Sequence, residues 1–288
     1  MSFASALVTQ LFLVGSVMAI DVAPMWDFGK PELSEQRFRD ALAGTNADDR
    51  LILQTQIART YGLRKQFSKA QEVLIACKPQ PDTASAEART RHALEWGRTW
   101  SSAAHAPESQ TPQARDTARA AYFEALQIAK AAQLDDLAID AIHMLAFVDT
   151  APEDQLKWGQ EALAVVEASG QPSAKKWEAS IRNNIGYALH QLGRYPEALR
   201  QFNQAVALRT KGTNAEATRT AHWMVAWTLR AIHRDDEALA IQLRLESECA
   251  AAGEPDSYVF EELEILYRAK GDSERAEHYA NLRKGGQS

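Results

Sequence analysis

Cysteine is nearly absent: Cys77 and Cys249 are the two in 288 residues. Lying 172 positions apart, they have neither the close spacing of a metal knuckle nor the density of a disulfide framework. Both read as small buried side chains in helix-like context. Long hydrophobic runs are also missing, and no stretch approaches the ~20 apolar residues that a membrane span needs. Positive charge is in deficit, with 32 Lys and Arg against 38 Asp and Glu and a net charge of -6. That balance speaks against general affinity for nucleic acid or an anionic membrane.

Catalytic motifs are missing in the same way. The seven histidines, at 92, 105, 143, 190, 222, 233 and 278, contain no H-E-x-x-H pair. There is no phosphate-cradling glycine loop, since "KGGQS" is a tail, and no alternating stretch reads as a strand that could end in a nucleophile elbow. "RDDEAL" and "LDDLAI" read as helix starts, where Asp favours the N-terminal dipole. One opening for metal chemistry is left: His143 and His190 could face each other across adjacent repeats, with His222 nearby. No cofactor is expected.

The N-terminus allows two readings. "ALVTQLFLVGSVMA", Ala6 to Ala19, resembles a signal-peptide core, with Val17 and Ala19 suiting the small-residue cleavage pattern, but no Lys or Arg precedes it. Translation starting at Met18 or Met25 and a cytoplasmic location is the preferred expectation. Export through Met1–Ala19 is the alternative.

What the chain does have is 45% hydrophobic content and a repeated ladder. In "NNIGYALHQLGRYPEALRQFNQAV" the small residue Gly186 is followed at three by Leu189, at twelve by Ala198, at sixteen by Phe202 and at nineteen by Ala205. The twelve-residue step recurs from Ala58 to Ala70, from Ala226 to Ala238 and from Glu264 to Ala276. Two copies are looser. Gly97 matches Ala118, Tyr122 and Ala125 once "AAHAPESQTP" is treated as an insertion, and Ala146 meets the oversized Trp158 at twelve. The six anchors, at 58, 97, 146, 186, 226 and 264, lie close to 40 residues apart except at the insertion. Small residues facing each other let two helices approach, and the ring at sixteen fills the space to the next pair. Ser68, Asn214 and Asp256 suit N-caps, Pro196 the first turn of a helix, and Gly193 and Gly271 the ends of first helices.

These residues resemble the tetratricopeptide repeat family, most strongly over "NNIGYALHQLGRYPEALRQFNQAVAL", where Gly186, Gly193, Tyr195, Ala198, Phe202 and Ala205 all fit its pattern. The resemblance covers roughly Pro31 to Lys284, with a period longer than usual and with Glu264, Gln242 and Trp158 at small or apolar positions. It implies an all-α, right-handed superhelical solenoid of about six antiparallel hairpins. Residues 31–284 would form the array, 1–30 an N-terminal segment that is disordered or signal-like, and 285–288 a tail.

The resemblance further implies that first helices line a concave, ligand-binding side. Residues three before and one after each anchor share a face: Thr55 and Arg59, Leu94 and Arg98, His143 and Phe147, Asn183 and Tyr187, Trp223 and Trp227, Glu261 and Ile265. Arg91 and Arg230 lie near the same line. This set suggests a groove with guanidinium forks at one end and rings toward the other, suited to a peptide bearing a carboxylate and apolar or aromatic side chains. On the competing reading, the tryptophans pack between repeats and the arginines pair with acids of neighbouring helices. Thr55, Arg59, Leu94, Arg98 and His143 do not match the Lys, Asn and Arg clamp by which some family members hold chaperone tails. Glu261, Glu262 and Glu264 read as a solvated or capping face of the terminal repeat. The function expected is a non-catalytic adaptor, with a ligand-sensing regulator of a separate chain as alternative and a metal-dependent enzyme as a third reading.

Overall fold

A computed structural model describes residues 20–285, so the signal-like stretch Ala6–Ala19 lies outside the described residues. Fourteen helices follow one another without a strand among the described residues. Helix α1 (Pro31–Ala41) packs on the first hairpin, α2 (Ala47–Leu63) with α3 (Phe67–Ala76). Then come α4 (Ala86–Trp100) with α5 (Pro112–Ala131), and α6 (Asp135–Val148) with α7 (Pro152–Ala168). After the short α8 (Pro172–Lys175) follow α9 (Glu178–Gln191) with α10 (Tyr195–Arg209), α11 (Ala215–Ala231) with α12 (Asp235–Ala252), and α13 (Ser257–Ala269) with α14 (Ser273–Gly285). The molecule is an all-α solenoid of six antiparallel hairpins.

The ladder explains the hairpins atom by atom. A Cβ on Gly186 would sit 2.7 Å from the Phe202 ring, and one on Gly97 2.4 Å from the Tyr122 ring, so only glycine admits either ring. The second contact joins α4 to α5 across the insertion, which holds a single 3-10 turn at Pro107–Ser109. Ala118, Tyr122 and Ala125 are fully or almost fully buried, as are Ala198, Phe202 and Ala205.

Turns follow local chemistry. Gly193 ends the first helix of its hairpin at φ 71°, a left-handed conformation that glycine adopts without Cβ strain. His233 takes φ 60° at the matching turn before α12. Asn214 and Asp256 cap α11 and α13, accepting from the backbone N–H groups of Ala217 and Tyr258. Ser68 does not cap α3: that helix already begins at Phe67, entered directly from Lys65 at φ 60°.

Residues 20–30 are part of the packed body. Val22 is buried beside Phe38, Ile52 and Ile57, and the Trp26 indole donates to Gln56 Oε1 at 3.0 Å. Trp26 also stacks on Phe28 and meets Phe38 edge-on. This apolar cluster covers the face of α2 turned away from the following hairpins.

First helices of successive hairpins touch one another along much of the array, whereas second helices contact their own partner and the next first helix. The first helices therefore share one side of the stack, its inner face. Between α6 and α9 the close approach is absent, and α8 packs on α6 and α7 there.

Candidate ligand-binding face

The inner face divides by chemistry. In the first three hairpins it is ionic. Arg98, on α4, reaches Glu95 on its own helix and Asp140 on α6, both at 2.5 Å, while Arg59 on α2 lies 3.5 Å from Glu95. Glu95 and Asp140 are buried. Burial alone would raise the Asp140 carboxyl, but Arg98 and Arg59 outweigh it and hold the group below the usual carboxylate range. Burial and the like charge of Arg98 press the Arg59 guanidinium downward. Arg59 also lies 5.6 Å from the ring centres of Trp26 and Phe28. Arg91 pairs with Glu87 one turn away at 2.8 Å.

His143 stands at the boundary. Its Nδ1 meets the Asn184 amide at 3.3 Å, and its ring lies 5.7 Å from Trp177. Burial, with Arg98 adding to it against the pull of Asp140, lowers its pKa and favours the neutral ring.

In the last three hairpins the face is aromatic. Tyr187 on α9 stacks with Trp227 on α11 at 5.9 Å, Trp227 with Trp223 at 5.7 Å, and Trp223 meets Tyr258 on α13 edge-on. The row is open at both ends, with Tyr187 40% and Tyr258 65% exposed. Behind it His190 lies flat on Trp227, ring centres 3.4 Å apart. Its Nδ1 is 3.1 Å from the Thr228 hydroxyl, which gives its one proton to Met224 O. His190 Nδ1 must therefore carry the hydrogen and donate it, which fixes the neutral tautomer. Burial, then the charge of Arg230, lowers the His190 pKa to about 4. Arg230 itself holds Glu262 on α13 through two hydrogen bonds of 2.7 Å.

The structure thus brings Arg59, Arg98 and His143 together, and separately Tyr187, Trp223 and Trp227. Asn183 lies with His143, Trp177 and Arg209 around a depression between the two groups. Thr55 and Leu94 are buried and face inward. Glu95, Asp140, Glu262, Trp26 and Trp177 belong to the face and were not among the contact residues the sequence singled out. A signal did exist for two of them: Glu95 and Glu262 each stand two residues before an anchor. Of the terminal acids, Glu261 is solvated but the other two are not. Glu262 is buried on Arg230, and Glu264, at a normally small anchor, pairs with Arg268 and Arg283. An ion pair with α14 is added here to a hairpin that remains closely packed, with Ala276 buried.

His143 and His190 have different neighbours and do not face one another. Among the described residues no three His, Cys, Asp or Glu side chains gather in a way that could hold a metal ion.

A tetratricopeptide repeat profile matches residues 177–245, which span α9 to α11 and part of α12. Residues 177–245 carry tetratricopeptide repeats. Three solved structures are similar in fold to the chain along most of its length. One is a signal transduction ATPase with numerous domains, carrying a tetratricopeptide repeat sensor, from Pyrococcus horikoshii: 13% identity, TM-score 0.69, 89% of this chain and 39% of that one. The chain spans less than half the length of that protein. Another is a putative kinesin light chain of Podosopora anserina with nearly identical TPR-like repeats, at 16% identity and TM-score 0.53, covering 72% of this chain and 98% of that one. The third is the apo form of the quorum sensor NprR from B. thuringiensis, at 12% identity and TM-score 0.52, covering 91% and 83%. No curated protein matches the chain. At these identities the likeness is one of fold, and no helix among the described residues is long and apolar enough to cross a membrane.

Proposed function

We propose that the chain is a non-catalytic adaptor whose inner face holds an extended segment of a partner protein. The row Tyr187, Trp227, Trp223 and Tyr258 carries this reading: rings fixed by mutual stacking, yet exposed at both ends, lose little freedom on binding and offer large contact area. Apolar or aromatic side chains of the partner would lie along this row, with Asn183 and His143 bonding its backbone. Carboxylates of the partner would meet Arg59 and Arg91, whose present partners are a carboxylate 3.5 Å away and one on the same helix. Arg98 and Arg230 act within the face, holding α6 and α13 in register. Both cysteines are free thiols, which fits the reducing cytoplasm.

Affinity capture from the native cell with wild type beside Trp223→Ala/Trp227→Ala, read by mass spectrometry, tests this. A partner retained by the wild type and lost by a variant of unchanged helical dichroism and melting supports the adaptor. Identical capture by both moves the binding surface elsewhere.

A second reading, a sensor that transmits ligand binding to a separate chain, is favoured by one observation, a cavity set beside the face between α6, α7 and α9. Two of the structurally similar proteins are described as sensors. A ligand-dependent change in solution scattering would support it.

A further inference from the structure

The cavity is where the ladder fails. Sixteen residues after Ala146 comes Ala162, at the position that carries Tyr122 and Phe202 in the hairpins on either side. The filling ring is therefore missing, and Gly159, one turn earlier, adds no side chain to replace it. Trp158 does not fill the gap, because its indole is turned to Asp149, donating at 2.9 Å, and against the edge of Phe123. With α6 and α9 also held apart, a space of about 360 Å³ opens, walled by Ile142, Phe147, Ile181 and Tyr187. Its size and mainly apolar walls are those of a small-molecule site.

A few polar groups border it: the joined pair His143 and Asn184, and Arg115 from the start of α5. Arg115 differs from the arginines of the inner face in having no carboxylate partner among the described residues. One turn further along, Arg119 pairs with both Asp116 and Asp149. A cation in the first turn of a helix also meets the positive end of the helix dipole, so helix stability does not account for Arg115. Its charge is free for a ligand, and a guanidinium matches a carboxylate in a forked pair.

We propose that this cavity binds a small organic acid, its ring-sized or branched apolar body in the space left by Ala162 and its carboxylate on Arg115. The cavity shares Tyr187 and His143 with the adaptor face, but Trp223 and Trp227 lie outside it, so the two readings can fail separately.

Calorimetry on the full chain with 3-phenylpropionate, indole-3-propionate and 4-methylpentanoate, each beside its uncharged alcohol, tests it. At least one acid should saturate one site per chain, about tenfold more tightly than its alcohol. Arg115→Gln should erase that advantage and leave the alcohol unchanged. Ala162→Phe, which restores the ring of the neighbouring hairpins, should abolish both, with Ala146→Leu as a second way to fill the space. If none of the acids saturates below millimolar concentration, if acid and alcohol bind alike, or if Trp223→Ala/Trp227→Ala removes binding as fully as Arg115→Gln does, the proposal fails.

Discussion

The two halves of the inner face use equivalent positions for opposite ends. One residue after the anchor stands Arg59 or Arg98 in the first half, and Tyr187 or Trp227 in the second. In the first half the charges are spent internally, since Glu95 and Asp140 close on the two arginines. Such buried pairs set helix register at a cost in desolvation and leave little charge for a partner. In the second half the rings pack on one another, and the exposed surfaces of Tyr187 and Tyr258 keep contact area for something else. Position in a repeat therefore fixes that a residue reaches the face, while its neighbour on the next helix decides whether it remains available.

The largest effect expected from this contrast is at Asp140. Asp140→Ala leaves Arg98 without its cross-hairpin partner in a site where the arginine side chain is 13% exposed, and should cost about 3–5 kcal/mol in urea unfolding. Adding Arg98→Met removes the stranded charge and should restore most of that loss. A double variant as unstable as the single one would mean that α4 and α6 are held by packing alone, and the ionic half would lose its distinct character.

Sequence spacing revealed the hairpins because each depends on contacts that a fixed interval encodes. Gly97 finding Tyr122 across the insertion and Gly193 closing its turn both belong to this class. Contacts between hairpins do not. Whether Arg98 meets Asp140 depends on how far α6 slides along α4, and no interval within one helix records that. The competing expectation for the arginines, pairing with acids of the next helix, describes Arg98 and Arg230 as they stand. Residues 20–30 were hidden for another reason, since a cap is made once and has no repeat to reveal it. Trp158 was visible as a departure, but its consequence, an unfilled position at Ala162, shows only when both helices are placed.

Glycine anchors in the two halves give an intermediate effect. Gly97→Ala drives a methyl against Tyr122, whose hydroxyl donates to Ser101 O at 2.6 Å and so resists moving. Gly186→Ala meets Phe202, a ring without such a tether. Overpacking should cost roughly 2–3 kcal/mol at Gly97 and about 1–2 kcal/mol at Gly186 by thermal melting. Equal losses would show that the hydroxyl does not hold the Tyr122 ring.

The smallest effect is a dependence on pH in the aromatic half. His190 has a folded pKa of about 4 against an ordinary 6.5, so the unfolded chain takes up its proton first as pH falls. Its contribution to stability is complete above about pH 6.5 and is lost progressively down to about pH 4. His92, His105, His143 and His222 are lowered too, so the whole chain weakens on acidification, and the difference from His190→Gln isolates this ring. Between pH 7.5 and 5 the wild type should lose about 1 kcal/mol more than the variant, after allowance for partial solvent screening. In a melting curve that is roughly 2–4 °C. Asp140, held below the ordinary carboxylate value, keeps its charge through the same interval, so the ionic half stays intact while the aromatic half loosens. Parallel losses in wild type and variant would instead place the proton uptake on the other histidines and leave the stacked His190–Trp227 pair indifferent to pH.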